Sequence, residues 1–207
     1  MYLYVLEKTL SNEYTMADIT ELNKLMTNSD NIHHLLGKLF NVNNEENWRS
    51  KYNILYKVDT STTFKLKVKS DIQIDKKVAL ENKIKVLDEK EISIKNNQEI
   101  TVKLEVSPFR KDGGQKNKKI IKTTKERKDW LKNKLTYNGE CEVKEINELG
   151  QVAKYMEHSD KLKGAAMLNG FSYEIKLTVR DAEGFKKLMQ VGVGPQKAYG
   201  FGLLEIA

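Results

Sequence analysis

The sequence of 207 residues contains very little cysteine and histidine, the side chains that form disulfides and most zinc sites. Its one cysteine, Cys141, has no second cysteine with which to form an internal disulfide, and it cannot nucleate a cysteine-rich zinc site. The only histidines are His33, His34 and His158. Any chemistry that the protein performs is therefore expected to need neither a metal nor a cofactor.

Long apolar runs are also missing. No run approaches the roughly 20 residues that span a bilayer. The first ten residues, MYLYVLEKTL, lack the basic region and the apolar stretch of a secretory signal. These absences predict a cytoplasmic protein with no membrane partner.

Basic charge is present and is concentrated in one segment. Residues 110–128 contain nine Lys or Arg and two acidic residues, so their formal charge of +7 equals that of the whole chain. Such a segment is the electrostatic footprint expected for a phosphate backbone. An exposed hairpin that only aids solubility is the alternative. A membrane surface is disfavoured, because Gly113, Gly114 and Asn117 stand where an amphipathic helix needs large apolar residues.

The apolar patterns predict the order β-α-β-β-α-β twice along the chain. In the first set, strands are expected at 2–8, 51–59, 63–71 and 84–94, and helices at 28–40 and 73–83. In the second set, strands are expected at 99–106, 140–146, 165–179 and 202–206, and helices at 123–135 and 181–189. The pattern fits an α+β fold of two tandem ferredoxin-like domains with antiparallel sheets, at 1–95 and 96–207. This order alone does not name a function.

Residues 191–202, VGVGPQKAYGFG, place four glycines near the last strand. A dinucleotide fingerprint would need glycine where Lys197 stands, and a phosphate-binding P-loop would need Ser or Thr in place of Ala198. Neither nucleotide motif fits. The loop instead favours contact with a nucleic-acid backbone, with Lys197 and Tyr199 adding charge and stacking. A tight turn that allows close packing is the alternative.

The segment NIHHLLGKLF has the pattern of an amphipathic helix. Four apolar residues at i, i+3, i+4 and i+7 form its buried stripe: Ile32, Leu35, Leu36 and Leu39. His34 then points away, whereas His33 lies at the edge of the stripe near Gly37, whose missing side chain leaves room beside the imidazole. A half-shielded histidine suits acid/base chemistry near neutral pH. An ordinary, partly buried histidine is the alternative.

The C-terminal segment GVGPQKAYGFGLLEIA resembles the signature of the CasE-type CRISPR-associated endoribonucleases, the repeat-RNA processing subunit of the subtype I-E Cascade complex. Further segments follow in that family's order and approximate spacing: MYLYVL, NIHHLLGKLF, EVSPFRK, DWLKNKL and KGAAMLNGFSYEIKLTV. The resemblance implies two RAMP-type (RRM-like) ferredoxin domains and metal-independent cleavage of CRISPR precursor RNA at the 3′ base of the repeat stem-loop. It also implies two kinds of partner, the CRISPR repeat RNA (crRNA) hairpin and the other Cascade subunits.

The resemblance also implies roles for individual residues. The family's catalytic histidine falls on His33, with His34 as the fallback, and Lys38 would stabilise charge on the phosphate. The family's tyrosine three residues before that histidine is Asp30 here, and a carboxylate cannot donate as a phenol does. RNA contacts are expected from basic residues and from the glycine loop: Arg110, Lys111, Lys116, Lys118, Lys119, Lys122, Gly192, Gly194, Lys197, Gly200 and Gly202.

Two alternatives to an endoribonuclease stay open at this level. A non-catalytic module that binds RNA hairpins in a ribonucleoprotein would need only the basic segment and the glycine loop. A structural subunit of another ribonucleoprotein, such as a ribosome-associated protein, would prefer ribosomal RNA to a repeat hairpin.

Overall fold

The structure is a computed structural model, and it describes residues 1–8, 15–59, 64–111, 118–157 and 165–207. The chain forms two compact units. Unit 1 contains residues 1–92 together with 155–167 and 198–200, and unit 2 contains residues 93–154, 168–197 and 201–207. Unit 1 therefore includes two short segments from the second half of the chain.

Unit 1 has a four-stranded antiparallel sheet in the order β2-β3-β1-β4. Its strands are β1 (Tyr2–Lys8), β2 (Leu55–Asp59), β3 (Lys65–Ser70) and β4 (Ile84–Glu91). Its helices are α1 (Met16–Thr27), α2 (Ser29–Leu39), α3 (Trp48–Lys51) and α4 (Lys76–Glu81). The buried stripe of α2 packs with apolar residues of the sheet in one core. This topology is that of a ferredoxin-like domain, as predicted.

Unit 2 repeats the topology with the sheet order β10-β5-β9-β8. Its strands are β5 (Glu99–Val106), β8 (Cys141–Glu157), β9 (Ala165–Val179) and β10 (Leu204–Ile206), and its helices are α5 (Thr124–Leu135) and α6 (Ala182–Val191). Strands β6 (Phe109–Lys111) and β7 (Lys118–Ile120) pair in a separate two-stranded hairpin. A short 3₁₀ helix spans Lys197–Tyr199. The predicted α+β class with two antiparallel ferredoxin-like sheets is confirmed.

Two helices of unit 1 are absent from the sequence-based prediction. Helix α1 begins at a capping box, in which the Thr15 hydroxyl accepts from the Asp18 N–H and the Asp18 carboxylate accepts from the Thr15 N–H. Helix α3 is a single turn that follows Asn47, whose φ of 52° is left-handed. Helix α3 is too short to show an apolar period, whereas α1 does have helically spaced apolar residues, Ile19, Leu22, Leu25 and Met26, which the sequence-based prediction missed. No helix within the described ranges is long and apolar enough to cross a membrane.

Candidate active site

His33 lies where the periodicity of α2 predicts, at the edge of the buried stripe. Asn28 caps the helix, because its side-chain oxygen accepts from the Asp30 N–H at 2.8 Å. All four stripe residues are buried, His33 is half-buried and His34 is exposed. The imidazole of His33 lies against the indole of Trp48, with ring centroids 4.5 Å apart and an angle of 36° between the planes.

The space beside Gly37 is used differently from the prediction. A Cβ atom at Gly37 would fall 2.0 Å from the side-chain oxygen of Asn43 and 3.4 Å from the Trp48 ring. Because those atoms come closest, the glycine accommodates Asn43 and Trp48 rather than leaving an empty space for the imidazole. Trp48 in turn covers one side of His33.

A cleft of about 370 Å³ opens beside this imidazole, and all of its lining belongs to unit 1. Its lining residues are His33, Glu45, Asn47, Trp48, Arg49, Ser50 and Ala198. The carboxylate of Glu45 is held by Lys51 at 2.6 Å and by the Tyr52 hydroxyl at 2.9 Å, and these bonds lower its pKa. The negative charge at this edge of the cleft is therefore already paired.

Arg49 brings an incompletely paired cation to the cleft. Its Nη1 atom is buried and has no hydrogen-bond partner among the described residues. Burial lowers the pKa of Arg49, while the nearby phenols of Tyr56 and Tyr199 act in the opposite direction. An arginine keeps its charge even so. A desolvated guanidinium with an unused donor is suited to bind an anion such as a phosphate.

The surroundings of His33 favour its neutral form. Burial is the largest cause of its lowered pKa, followed by the positive charge of Arg49 and the neighbouring His34, whereas the carboxylate of Asp30 opposes them. The ordinary value for histidine is about 6.5. An imidazole held below that value is neutral at pH 7 and can accept a proton.

Tyr56 holds the chain segment at the other side of the cleft. Its hydroxyl donates to the carbonyl oxygen of Ala198 at 2.9 Å, and burial raises the pKa of this phenol. The next residue, Tyr199, is half-exposed and lies close enough to Arg49 to affect its pKa. Tyr56 is therefore used in packing beside the cleft, and Tyr199 places a second phenol near the cation that lines it. Sequence analysis did not identify Trp48, Arg49 or Tyr56.

Lys38 is not brought together with His33. It is exposed in the last turn of α2 and does not line the cleft. Residues five positions apart lie about 140° apart around an α-helix, so the two side chains leave different faces. A role for Lys38 at the phosphate stays a prediction.

The first part of the basic segment belongs to the β6–β7 hairpin, which begins directly after Pro108. Arg110 pairs in register with Lys119, and Lys111 pairs with Lys118. The side chains of Lys119 and Lys122 are exposed. Lys116 and the side chains of Lys111 and Lys118 lie outside the described residues.

Two cations of the basic segment form ion pairs with carboxylates of unit 2. The Arg110 guanidinium lies 3.3 Å from the carboxylate of Glu126, and both side chains are exposed. Arg127 is buried: its Nε donates to Glu148 at 2.9 Å, and its guanidinium carbon lies 3.8 Å from the centre of the Phe171 ring. The charge of Arg127 therefore stabilises the fold and is not presented at the surface.

The four glycines of the loop share a positive φ, from 75° to 85°. At Gly202 the reason is close packing, since a Cβ atom there would fall 2.6 Å from the carbonyl oxygen of Val193. The Gly202 N–H donates to Glu105 and the Gly192 N–H donates to Leu188. These two N–H groups bond within the chain, so Gly192 and Gly202 shape the loop. Contacts of Gly194, Gly200 and Lys197 with RNA stay predictions.

Comparisons with known proteins agree with this fold. The family model described as "CRISPR associated protein" matches residues 1–207. The CRISPR endoribonuclease Cse3 bound to a 19-nucleotide RNA is 20% identical, with 100% of both chains covered and a TM-score of 0.81. Cse3 of Thermus thermophilus, bound to an RNA representing a pre-cleavage complex, is 21% identical with full coverage of both chains and a TM-score of 0.77.

A third solved structure, the CRISPR-associated protein Cas6e from Escherichia coli K-12, is 18% identical. It covers 100% of this chain and 99% of its own, with a TM-score of 0.67. Curated proteins give no match to the sequence.

Proposed function

The chain belongs to the family of CRISPR-associated proteins, and from that premise we propose that it is an endoribonuclease for CRISPR precursor RNA. It cleaves at the 3′ base of the repeat stem-loop and stays with the crRNA in a Cascade complex. Similarity of fold to Cse3 bound to RNA and to Cas6e supports this proposal. The observation that carries it is the pair formed by His33, half-buried with a lowered pKa, and Arg49, whose buried Nη1 lacks a partner among the described residues.

The reaction uses a nucleophile that the RNA supplies. The 2′-hydroxyl attacks the adjacent phosphorus, the bond to the 5′-oxygen breaks, and the products are a 2′,3′-cyclic phosphate and a free 5′-hydroxyl. The 2′-oxygen loses one proton and the 5′-oxygen gains one, so the step balances without a redox partner, and in this proposal no metal takes part. The protein has to align the reacting atoms and to move these protons.

His33 acts as the general base in this proposal. A neutral imidazole is needed to take the 2′-hydroxyl proton, and burial together with Arg49 lowers the pKa of His33. Proton transfer of this kind contributes typically about 10²- to 10⁴-fold. The imidazole lies against Trp48 on one side, which restricts its orientation.

Arg49 binds the phosphate at the cut and stabilises the charge that develops on its oxygens. Its Nη1 donor lacks a partner among the described residues and gains one when an anion enters the cleft. The family has a phenol three residues before the histidine, where this chain has Asp30. Tyr199, near this guanidinium, is the candidate to supply a phenol instead. A phenol donates a hydrogen bond where a carboxylate cannot.

The β6–β7 hairpin recognises the RNA stem. A-form RNA is recognised mainly through its shape and phosphates, because its major groove is too narrow to expose base edges to side chains. The exposed lysines Lys119 and Lys122 carry the charge for that contact. Arg110, held by Glu126, contributes from the first strand of the hairpin.

Cleavage of a labelled repeat hairpin in excess EDTA tests the proposal. The wild type should cut this RNA but not a copy with a single 2′-deoxy nucleotide at the 3′ base of the stem. His33→Ala should reduce the rate by at least 10²-fold. His34→Ala tests the fallback histidine and should retain most of the rate, because His34 is exposed and does not line the cleft. Binding of both RNAs without any cleavage would instead identify a non-catalytic RNA-binding module. The presence of Asp30 where the family has a tyrosine favours that alternative.

A further inference from the structure

A second cleft lies entirely within unit 2, and no step of the proposed cleavage uses it. Its volume is about 540 Å³. Two aromatic rings and three cations line it, together with the backbone of the glycine loop: Phe109, Trp130, Arg110, Lys134, Lys197 and Gly194.

One face of helix α5 lines this cleft. Trp130 and Lys134 are four residues apart and so share a face, whereas Arg127, Leu131 and Leu135 are the buried residues of the helix. Trp130 is only half-buried, although tryptophan is among the largest apolar side chains. Part of its ring therefore remains available at the wall of the cleft.

Gly194 brings the loop up to this ring. A Cβ atom at Gly194 would fall 3.1 Å from the indole of Trp130, and the backbone there has a φ of 78°. A side chain at this position would therefore both crowd the indole and strain the backbone. The loop and the tryptophan form one wall of the cleft as a result.

The cations surround this aromatic surface. Arg110 is positioned at the cleft by its ion pair with Glu126, which lies one turn before Trp130 on α5. Lys134 lies one turn after Trp130 and is exposed, and Lys197 is half-buried. Flat rings next to positive charges are the features that bind single-stranded nucleic acid, the bases by stacking and the phosphates by charge.

We propose that this cleft binds one unpaired nucleotide next to the repeat stem, with its base on Trp130 and its phosphate at Arg110 and Lys134. The inference rests on the proposed function in that the ligand is RNA. A ligand with both a flat ring and negative charge matches this lining better than a purely apolar one, because three cations stand beside the two rings. A nucleotide site also explains why a half-exposed tryptophan stands on a helix as polar as α5.

A binding cycle tests the proposal without any need for cleavage. Affinities are measured for uncleavable 2′-deoxy hairpins that carry three unpaired nucleotides on the 5′ side, on the 3′ side or on neither. For the wild type, removal of one flank should weaken binding by roughly 5- to 150-fold, the range for one stacked base. In Trp130→Ala, removal of the same flank should leave the affinity unchanged. In Trp130→Phe, removal of that flank should weaken binding by part of the wild-type factor.

The hairpin without flanks is the internal control. Trp130→Ala should bind it as the wild type does, which shows that the variant is folded and that the stem contacts are intact. Equal flank effects in the wild type and in Trp130→Ala would overturn the proposal, and so would an equal loss of affinity for all three hairpins.

A second measurement separates this proposal from the proposed function. A single-stranded RNA tetramer should quench the intrinsic tryptophan fluorescence of the wild type, and Trp130→Phe should lose most of that quenching. If hairpins are neither bound nor cut but this quenching occurs, the endoribonuclease proposal fails and the nucleotide site stands. If hairpins are cut but neither the flanks nor the tetramer has an effect, the nucleotide-site proposal fails and the endoribonuclease proposal stands.

Discussion

Replacing Arg49 with methionine should change catalysis and stability in opposite directions. The side chain is half-buried, and its Nη1 donor lacks a partner among the described residues. A buried donor left unpaired costs about 1–3 kcal/mol. Methionine removes that cost and keeps most of the packing volume, so the free energy of unfolding should stay the same or rise by about 1 kcal/mol.

The cleavage rate should fall in the same variant. One preorganised donor at a developing oxyanion contributes roughly 10²- to 10³-fold, and Nη1 is such a donor if the phosphate enters this cleft. Arg49→Met should therefore lower the single-turnover rate by about that factor, whereas Arg49→Lys, which keeps the charge but loses the planar fork, should fall in between.

The pH dependence gives an independent check. Arg49 lowers the pKa of His33, and a base is active in its deprotonated form. Removing the positive charge should raise the pKa of His33, so the rising limb of the rate profile should move to higher pH in Arg49→Met and stay nearly in place in Arg49→Lys. An unchanged rate and an unmoved limb in both variants would refute the role assigned to Arg49.

Three further predictions concern unit 2. Gly202→Ala should destabilise the protein by more than about 2 kcal/mol, since it adds a 2.6 Å contact to a left-handed backbone, whereas Gly139→Ala, with open space around it, should cost about 1–2 kcal/mol. Thermal unfolding compares the two. Arg127→Met should lower the free energy of unfolding by about 3–5 kcal/mol, because the mostly buried carboxylate of Glu148 loses its counter-charge and keeps only hydroxyl donors. Lys125→Met, at an exposed position of the same helix, should change this free energy by less than about 0.5 kcal/mol, and chemical denaturation compares the two. Lys119→Glu should weaken binding of the RNA hairpin and reduce the salt dependence of that binding. An identical slope across a salt titration would contradict the placement of the RNA stem on the β6–β7 hairpin of the protein.

Elements with a clear period were predictable almost to the residue. Strand β5 has the bounds that alternation gives, Glu99–Val106, and β9 alternates from Phe171 to Val179, because one face of each is buried there and every second residue is apolar. The position of His33 at the edge of a buried stripe follows from the 3.6-residue period in the same way. The sequence therefore determined the doubled ferredoxin-like order and the candidate base.

The partners of these residues depend on contacts between distant parts of the chain, which no local period encodes. Arg127 is one of nine cations in residues 110–128, and only its burial against Glu148, 21 positions away, separates it from the surface charge. Tyr56 bonds to Ala198 across 142 positions. Arg49, in a helix of one turn, has no pattern that marks it. Only the tertiary structure brings it to His33, because the charge, desolvation and shape of a cleft arise from packing.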